Sequence, residues 1–286
     1  MKVLVTGGAG FVGTNLIKRL IEDGHNVVVL DNYSTGYKEN EQEGCKYFSG
    51  DIREIINFDF FIEKPDVIFH LAALARIQPS FLYPAPTFET NVYGTQNLLE
   101  WARSNNTPVV YAGSSSTHGD HFANPYTFTK WQAELLVEMY NKVYNLPTVI
   151  TRFYNVYGEH QILDGAYAAV VGVFERQYKA GEPLTITGDG QQRRDFTYVG
   201  DIVDGLLRCA DNIDAVNGKT LELGRGKNYS INEIAKFYNT EIKYLPKRPG
   251  EMETTLCESK EARELIGFNP KVDIKDYVSR WLKDEN

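Results

Sequence analysis

Apolar residues fall along this chain in two alternating rhythms. Short runs with little polar interruption, KVLVT, NVVVL, CKYFSG, DVIFHLA, PVVYAGSS and PTVITRF, are separated by stretches in which apolar side chains recur every three or four residues. The longer stretches predict helices over about 11–23, 53–63, 87–105 and 126–144. The Val- and Ile-rich runs predict strands covered on both faces, the pattern of a parallel sheet. Alternation of the two predicts an α/β fold, a doubly wound parallel sheet of the Rossmann type.

The rhythm breaks after Arg152. Beyond it, short strands at LTIT and KTLEL and short helices at about 201–211, 230–238 and 260–266 lie among glycines and charges. We therefore expect a dinucleotide-binding domain over 1–153, to which 195–223 returns, and a smaller mixed α/β substrate lobe over 154–286, chiefly 154–194 and 224–286.

Composition narrows the class. A chain of 286 residues, 42% hydrophobic, is long enough to bury such a core. A net charge of -8 argues against a nucleic-acid surface, which needs clustered Lys and Arg. No apolar run approaches the roughly 20 residues of a membrane helix, and MKVLVTGG runs straight into a strand, so a cytoplasmic protein is expected. Cys45, Cys209 and Cys257 are widely spaced and have no histidines nearby, which predicts packing roles and no metal.

TGGAGFVG, at 6–13, joins the first strand to the first helix. Its glycines allow a tight turn and close approach of a pyrophosphate to a helix N-terminus. Cofactor contacts are expected from Gly7, Gly10, Phe11, Val12 and Gly13. The second strand ends at Asp31, where a carboxylate can take the ribose hydroxyls of a dinucleotide and repel a 2′-phosphate. Asn32 beside it brings no cation, so NAD is preferred to NADP. In GDI, Asp51 can accept from the adenine amino group or cap the turn that begins at Ile52.

Tyr126 and Lys130 stand four apart, on one helical face, a dozen residues after Ser114, Ser115 and Ser116. A phenol with pKa near 10 is ionised in about one molecule in a thousand at neutral pH. Lowering it by about three units takes about 4 kcal/mol. A nearby ammonium, helped by the cationic nicotinamide, can supply much of that and make Tyr126 a general base. The serines leave the carboxyl end of a strand, where such sheets bind ligands, so a hydroxyl there can orient the substrate.

With these residues placed, the chain resembles the extended short-chain dehydrogenase/reductase family, and within it the nucleotide-sugar epimerases and dehydratases. The likeness spans nearly the whole chain and rests on TGGAGFVG, LDNYSTG, GDI, HLAA, TNVYGTQNLL, YTFTK, RFYNVYG, GDGQQRRDFTYVGD and RPGE. The resemblance implies that Tyr126 is the base, that Lys130 also holds the nicotinamide ribose, and that Ser114 bonds the sugar 4-hydroxyl. Counting back from His118-Gly119, which replaces the usual Tyr-Gly, makes Ser114 the match. It adds Ala72 and Asn91 to the cofactor site, and Asn155, Arg194 and Arg248 around a nucleotide diphosphate. Arg193 and Arg76 are weaker candidates for the same role, read first as solvated charges.

The implied chemistry is loss of the 4-hydroxyl proton to Tyr126 while hydride passes from C4 to NAD, giving a bound 4-keto sugar. Similar dehydratases carry an Asp-Glu pair directly after the catalytic Ser/Thr. Ser115 and Ser116 stand there instead, which points to hydride return on the other face and hence 4-epimerisation. Thr255 matches a position whose bulk varies beside the sugar 2-substituent, so UDP-hexoses and UDP-N-acetylhexosamines are both expected substrates. The chain departs from its relatives in the short segment between Ser114 and Tyr126, where His118 is read as a packing residue. Rival readings are a keto-sugar reductase/epimerase and a non-catalytic dinucleotide sensor. A homodimer through the helices at 87–105 and 126–144 is implied as well.

Overall fold

The computed structural model describes residues 1–57 and 64–285. The first half runs β1 (Lys2–Thr6), α1 (Phe11–Glu22), β2 (Asn26–Asp31), β3 (Lys46–Ser49), β4 (Val67–His70), α2 (Ile77–Leu82), α3 (Pro84–Phe88), α4 (Thr95–Asn105), β5 (Val109–Ser114), α5 (Pro125–Tyr144) and β6 (Thr148–Phe153). There follow β7 (Val156–Tyr157), α6 (Val170–Lys179), β8 (Leu184–Thr187), β9 (Arg193–Asp195), β10 (Thr197–Tyr198), α7 (Val199–Asp211), α8 (Ile213–Val216) and β11 (Thr220–Leu223). The chain closes with β12 (Asn228–Ser230), α9 (Ile231–Phe237), β13 (Ile242–Leu245), α10 (Glu261–Ile266) and α11 (Ile274–Glu285).

Seven strands form one parallel sheet in the order β11-β6-β5-β4-β1-β2-β3. The chain builds outward from β1 in one direction and then, from β4, in the other. The reversal opens a crevice at the carboxyl ends of β1 and β4, where Thr6 pairs with His70.

Successive strand residues point to opposite faces, and each face has its own helical cover. Val3, Val5 and Phe69 pack with Leu16, Ile17 and Leu20 of α1 and with Ile202 and Leu206 of α7. Leu4, Leu30 and Ile68 pack with Leu98 and Leu99 of α4, Ala133 and Val137 of α5, and Ile52 and Ile55. Side chains of this size stabilise by about 1.5–3 kcal/mol each when fully buried, which is why both faces of the sheet read as apolar. A third core, with Tyr157, Phe174, Leu184, Ile231 and Tyr238, belongs to the smaller lobe. The chain leaves that lobe at α7 and β11 to complete the main sheet, then goes back to it.

Three features differ from the sequence reading. The helix expected at 53–63 is a 3₁₀ turn over Ile52–Asn57, and its remainder lies outside the described residues. The helix expected from 87 starts at Pro84 and passes through a π-helical turn, Glu89–Gly94, before α4. The wide turn sits where Gly94 meets Ile52, which a Cβ on Gly94 would approach to 2.6 Å. Finally, α2, α6 and α11 are not among the expected helices, although Ile274, Tyr277, Val278, Trp281 and Leu282 of α11 recur at helical spacing.

Candidate active site

The crevice continues between the sheet and the smaller lobe as a cleft of ≈ 770 Å³. At one end lies the turn after β1. Gly7 has φ +74° and faces the loop after β4, where an added Cβ would come within 2.7 Å of Ala72 N. Gly13 packs so closely that a Cβ would sit 2.3 Å from Gly7 O. Gly10 differs, because its nearest neighbour to a Cβ is Gly7 O at 3.3 Å. The fold thus requires glycine at 7 and 13, whereas at 10 the missing side chain chiefly leaves the cleft wall clear for a ligand. Gly10 also caps α1 without any side-chain bond, and the first turn holds no acid. Its N–H groups and positive dipole end suit a pyrophosphate.

Asp31 is buried on the same wall. Its carboxylate accepts from Ala9 N (2.9 Å) and Tyr33 N (2.8 Å), which leaves lone pairs for a ribose diol. Burial raises its pKa against these two bonds. Phe11, Val12, Asn32, Ile52 and Ala72 also line the cleft. These features fit NAD. Asp51 is placed otherwise. Arg53 and Asn32 hold its carboxylate and keep its pKa low, at about 2, while Gly50 and Ile52 form the wall. Asn91 is buried behind the wall. It donates to Leu74 O (3.1 Å) and Thr129 Oγ1 (3.1 Å) and accepts from Leu74 N (2.8 Å), so it holds the loop after β4 from the π turn.

At the centre, Asn124 caps α5 by accepting from Thr127 N at 2.8 Å, and Pro125 opens the helix. The first turn of α5 then faces the end of β5. Tyr126 OH donates to Ser114 Oγ at 3.1 Å. Ser114 Oγ also accepts from Ser116 N at 3.2 Å. Lys130 Nζ donates to Tyr111 OH (2.9 Å) and Ala112 O (2.5 Å), which leaves one N–H. Burial brings its pKa down to about 8, with Glu134 acting the other way.

Burial pushes the Tyr126 phenol above its ordinary value, opposed by the Ser114 bond and by Arg76. The sequence reading made Lys130 the cation acting on this phenol. In the structure its ammonium bonds Tyr111 and Ala112 of β5, and Arg76 is a cation whose charge favours the phenolate.

Toward the smaller lobe, Asn155, Arg194, Arg248 and Thr255 all line the cleft. Asn155 Nδ2 donates to Asp195 O (3.1 Å) and Thr255 Oγ1 (3.0 Å), and Thr255 Oγ1 accepts from Asp195 N (3.2 Å). Thr255 is buried, with its hydroxyl tying the Asn155 side chain to the end of β9. Arg194 Nη1 donates to Arg193 O at 2.9 Å, with Glu251 3.9 Å from Nη2, and Arg248 is exposed. Arg193 turns to Asn228 and Glu233, away from the cleft. His118 pairs with Glu222 at 2.6 Å.

Glu134 escaped the sequence reading. Two turns beyond Tyr126 on the same helical face, it is buried, accepts from Ser114 N at 3.2 Å, and is paired with Arg152 at 2.7 Å. The repeated spacing of four from 126 through 130 to 134 was the available signal. Asp195 was missed too. It accepts from the backbones of Arg225, Gly226 and Cys257 at 2.8–3.0 Å and so anchors the wall of the smaller lobe.

Among the described residues no helix is long and apolar enough to cross a membrane. Residues 3–224 match the model of the NAD dependent epimerase/dehydratase family. The chain is 33% identical over 315 residues to a putative UDP-glucose 4-epimerase of Methanocaldococcus jannaschii, with 99% of each chain covered. It superposes on the UDP-glucose 4-epimerase of Thermotoga maritima, solved with UDP-glucose, with TM-score 0.93, 30% identity and all of both chains covered. The UDP-glucuronic acid 4-epimerase of Bacillus cereus, solved with UDP-glucuronic acid and NAD, gives TM-score 0.89 at 27% identity, again over all of both chains.

Proposed function

Since the chain belongs to the NAD-dependent epimerase/dehydratase family and uses NAD, we propose that it inverts C4 of a nucleotide sugar with Tyr126 as general base. The observation that carries this reading is the 3.1 Å bond between Tyr126 OH and Ser114 Oγ on the cleft wall. A sugar 4-hydroxyl placed against this pair gives its proton to Tyr126 while Ser114 holds the oxygen. NAD supplies the hydride acceptor and donor at C4, and its nicotinamide charge favours the phenolate that burial disfavours.

Lys130 has one N–H left for the nicotinamide ribose. Glu134 keeps Ser114 in place through its backbone. Ser115 and Ser116 provide no acid to eliminate water from the keto sugar, and this supports epimerisation over dehydration. Asn155, Arg194 and Arg248 are assigned to the diphosphate, whose oxygens suit guanidinium forks, with UDP the proposed carrier. Two copies are proposed to associate through α4 and α5.

The test is incubation of the purified protein with UDP-hexoses, UDP-N-acetylhexosamines and UDP-hexuronates, with and without added NAD, following the C4 configuration by proton NMR. Inversion is expected for at least one sugar. Inversion of none, with NAD supplied, would overturn the reading.

A further inference from the structure

Arg76 has the environment of a cation built to meet an anion. It caps α2, whose Ser80 Oγ accepts from Tyr126 N at 3.1 Å, so the segment is tied to the first turn of α5. Its Nε donates to Tyr167 O at 2.6 Å and one Nη1 hydrogen goes to Ala75 O at 3.1 Å. Three of its five N–H donors remain, including both on Nη2.

The side chain is half-buried on the cleft wall, and no acid pairs with it among the described residues. The acids that share the cleft are engaged elsewhere. Asp31 takes Ala9 and Tyr33 N–H groups, Glu251 lies beside Arg194, and Asp120 accepts from Phe122 N. A guanidinium drawn out of water without a counter-charge is costly, and a bound carboxylate that takes its open donors offsets that cost.

We propose that Arg76 selects a nucleotide sugar bearing a ring carboxylate, a hexuronate, by a charge-assisted bond beside Tyr126. The inference rests on the nucleotide-sugar reading above and narrows it. Neutral hexoses would leave the guanidinium unpaired. A carboxylate at C5 is adjacent to the reacting C4, and Tyr126 and Arg76 both line the cleft.

The test is calorimetric titration of the NAD-loaded Tyr126→Phe variant, which blocks turnover, with UDP-glucuronate, UDP-glucose and UDP. UDP-glucuronate is expected to bind about 10- to 100-fold more tightly than UDP-glucose, the range of one charge-assisted hydrogen bond. Adding Arg76→Gln should erase that preference, and Arg76→Lys should restore part of it. Melting curves confirm that each variant is folded. Equal affinity for the two sugars, or a preference that survives Arg76→Gln, would overturn the assignment of Arg76 alone. Failure of both sugars to bind more tightly than UDP would overturn the nucleotide-sugar reading, and this proposal with it.

Discussion

Glu134 Oε1 accepts the backbone N–H of Ser114 at 3.2 Å, joining the third turn of one helix to the last residue of a neighbouring strand. The bond fixes Ser114 against Tyr126, which leaves the same helical face two turns earlier. Tyr126 and the Ser114 hydroxyl it meets are thereby set by one rigid element. If Tyr126 is the base, Tyr126→Phe should lower kcat by about 10²–10⁴, the usual contribution of a positioned general base. KM should move by only a few fold. Steady-state kinetics on the sugar identified by NMR checks the split, and a kcat within tenfold of the parent would remove Tyr126 from the chemistry.

The glycines of the first turn separate fold from ligand. Gly13→Ala would drive a Cβ to 2.3 Å from Gly7 O, so the variant should be strongly destabilised or insoluble. Gly10→Ala meets nothing closer than 3.3 Å, and its φ of -81° suits alanine. It should melt within a few degrees of the parent and lose NAD affinity by tenfold or more. Thermal melts and NAD titration of both variants test the contrast.

Glu175 links stability to pH. It is buried in the smaller lobe, accepts from Gln161 Nε2 (2.7 Å) and Tyr277 OH (3.0 Å), and burial raises its pKa to about 7 against both bonds. With the unfolded value near 4.5, the unfolded chain ionises first as pH rises. Stability from this group is therefore full below about pH 4.5 and is lost as pH approaches 7, by up to about 3 kcal/mol. Glu175→Gln should flatten that fall. Urea unfolding of both proteins at pH 5 and pH 8 measures it, and parallel slopes would refute the assignment.

The outer face of α5 exposes Leu135 (45%), Met139 (37%) and Val143 (61%) in helical register. The pairing proposed above would cover this face. Leu135→Asp, at a position that does not line the cleft, should shift the sedimenting species from dimer to monomer. A parent that already sediments as a monomer would dismiss the proposed pairing.

What could be read in the chain divides by distance along it. The turn at 6–13, Asp31 and the spacing of Tyr126 and Lys130 follow from local periodicity, and the structure brings them to one cleft. Glu134 escaped because its partners, Ser114 and Arg152, lie 20 and 18 residues away and on different strands. Asn91 has a location set by a π turn that no spacing rule announces. Arg76 and Arg193 look alike as surface cations. One caps a helix on the cleft wall and the other is bonded to Asn228 and Glu233, a difference decided by tertiary packing. Ser115–His118 fold as a 3₁₀ turn, and His118, read as a packing residue, is paired to Glu222 of the edge strand.

The excursion of the chain through the smaller lobe and back has a consequence for inheritance. The edge strand β11 and the cover α7 are encoded beyond the first portion of the smaller lobe. A single recombination at residue 153 would join one ancestor's sheet to another ancestor's outer strand and helix, and Val3, Val5 and Phe69 would have to fit a foreign Ile202 and Leu206. Exchanging the lobe cleanly takes three breakpoints, near 153, before Val199 and after Leu223. Change in such a lineage is thus pressed toward single replacements along the cleft walls, which include positions 76 and 255, instead of the borrowing of a whole module.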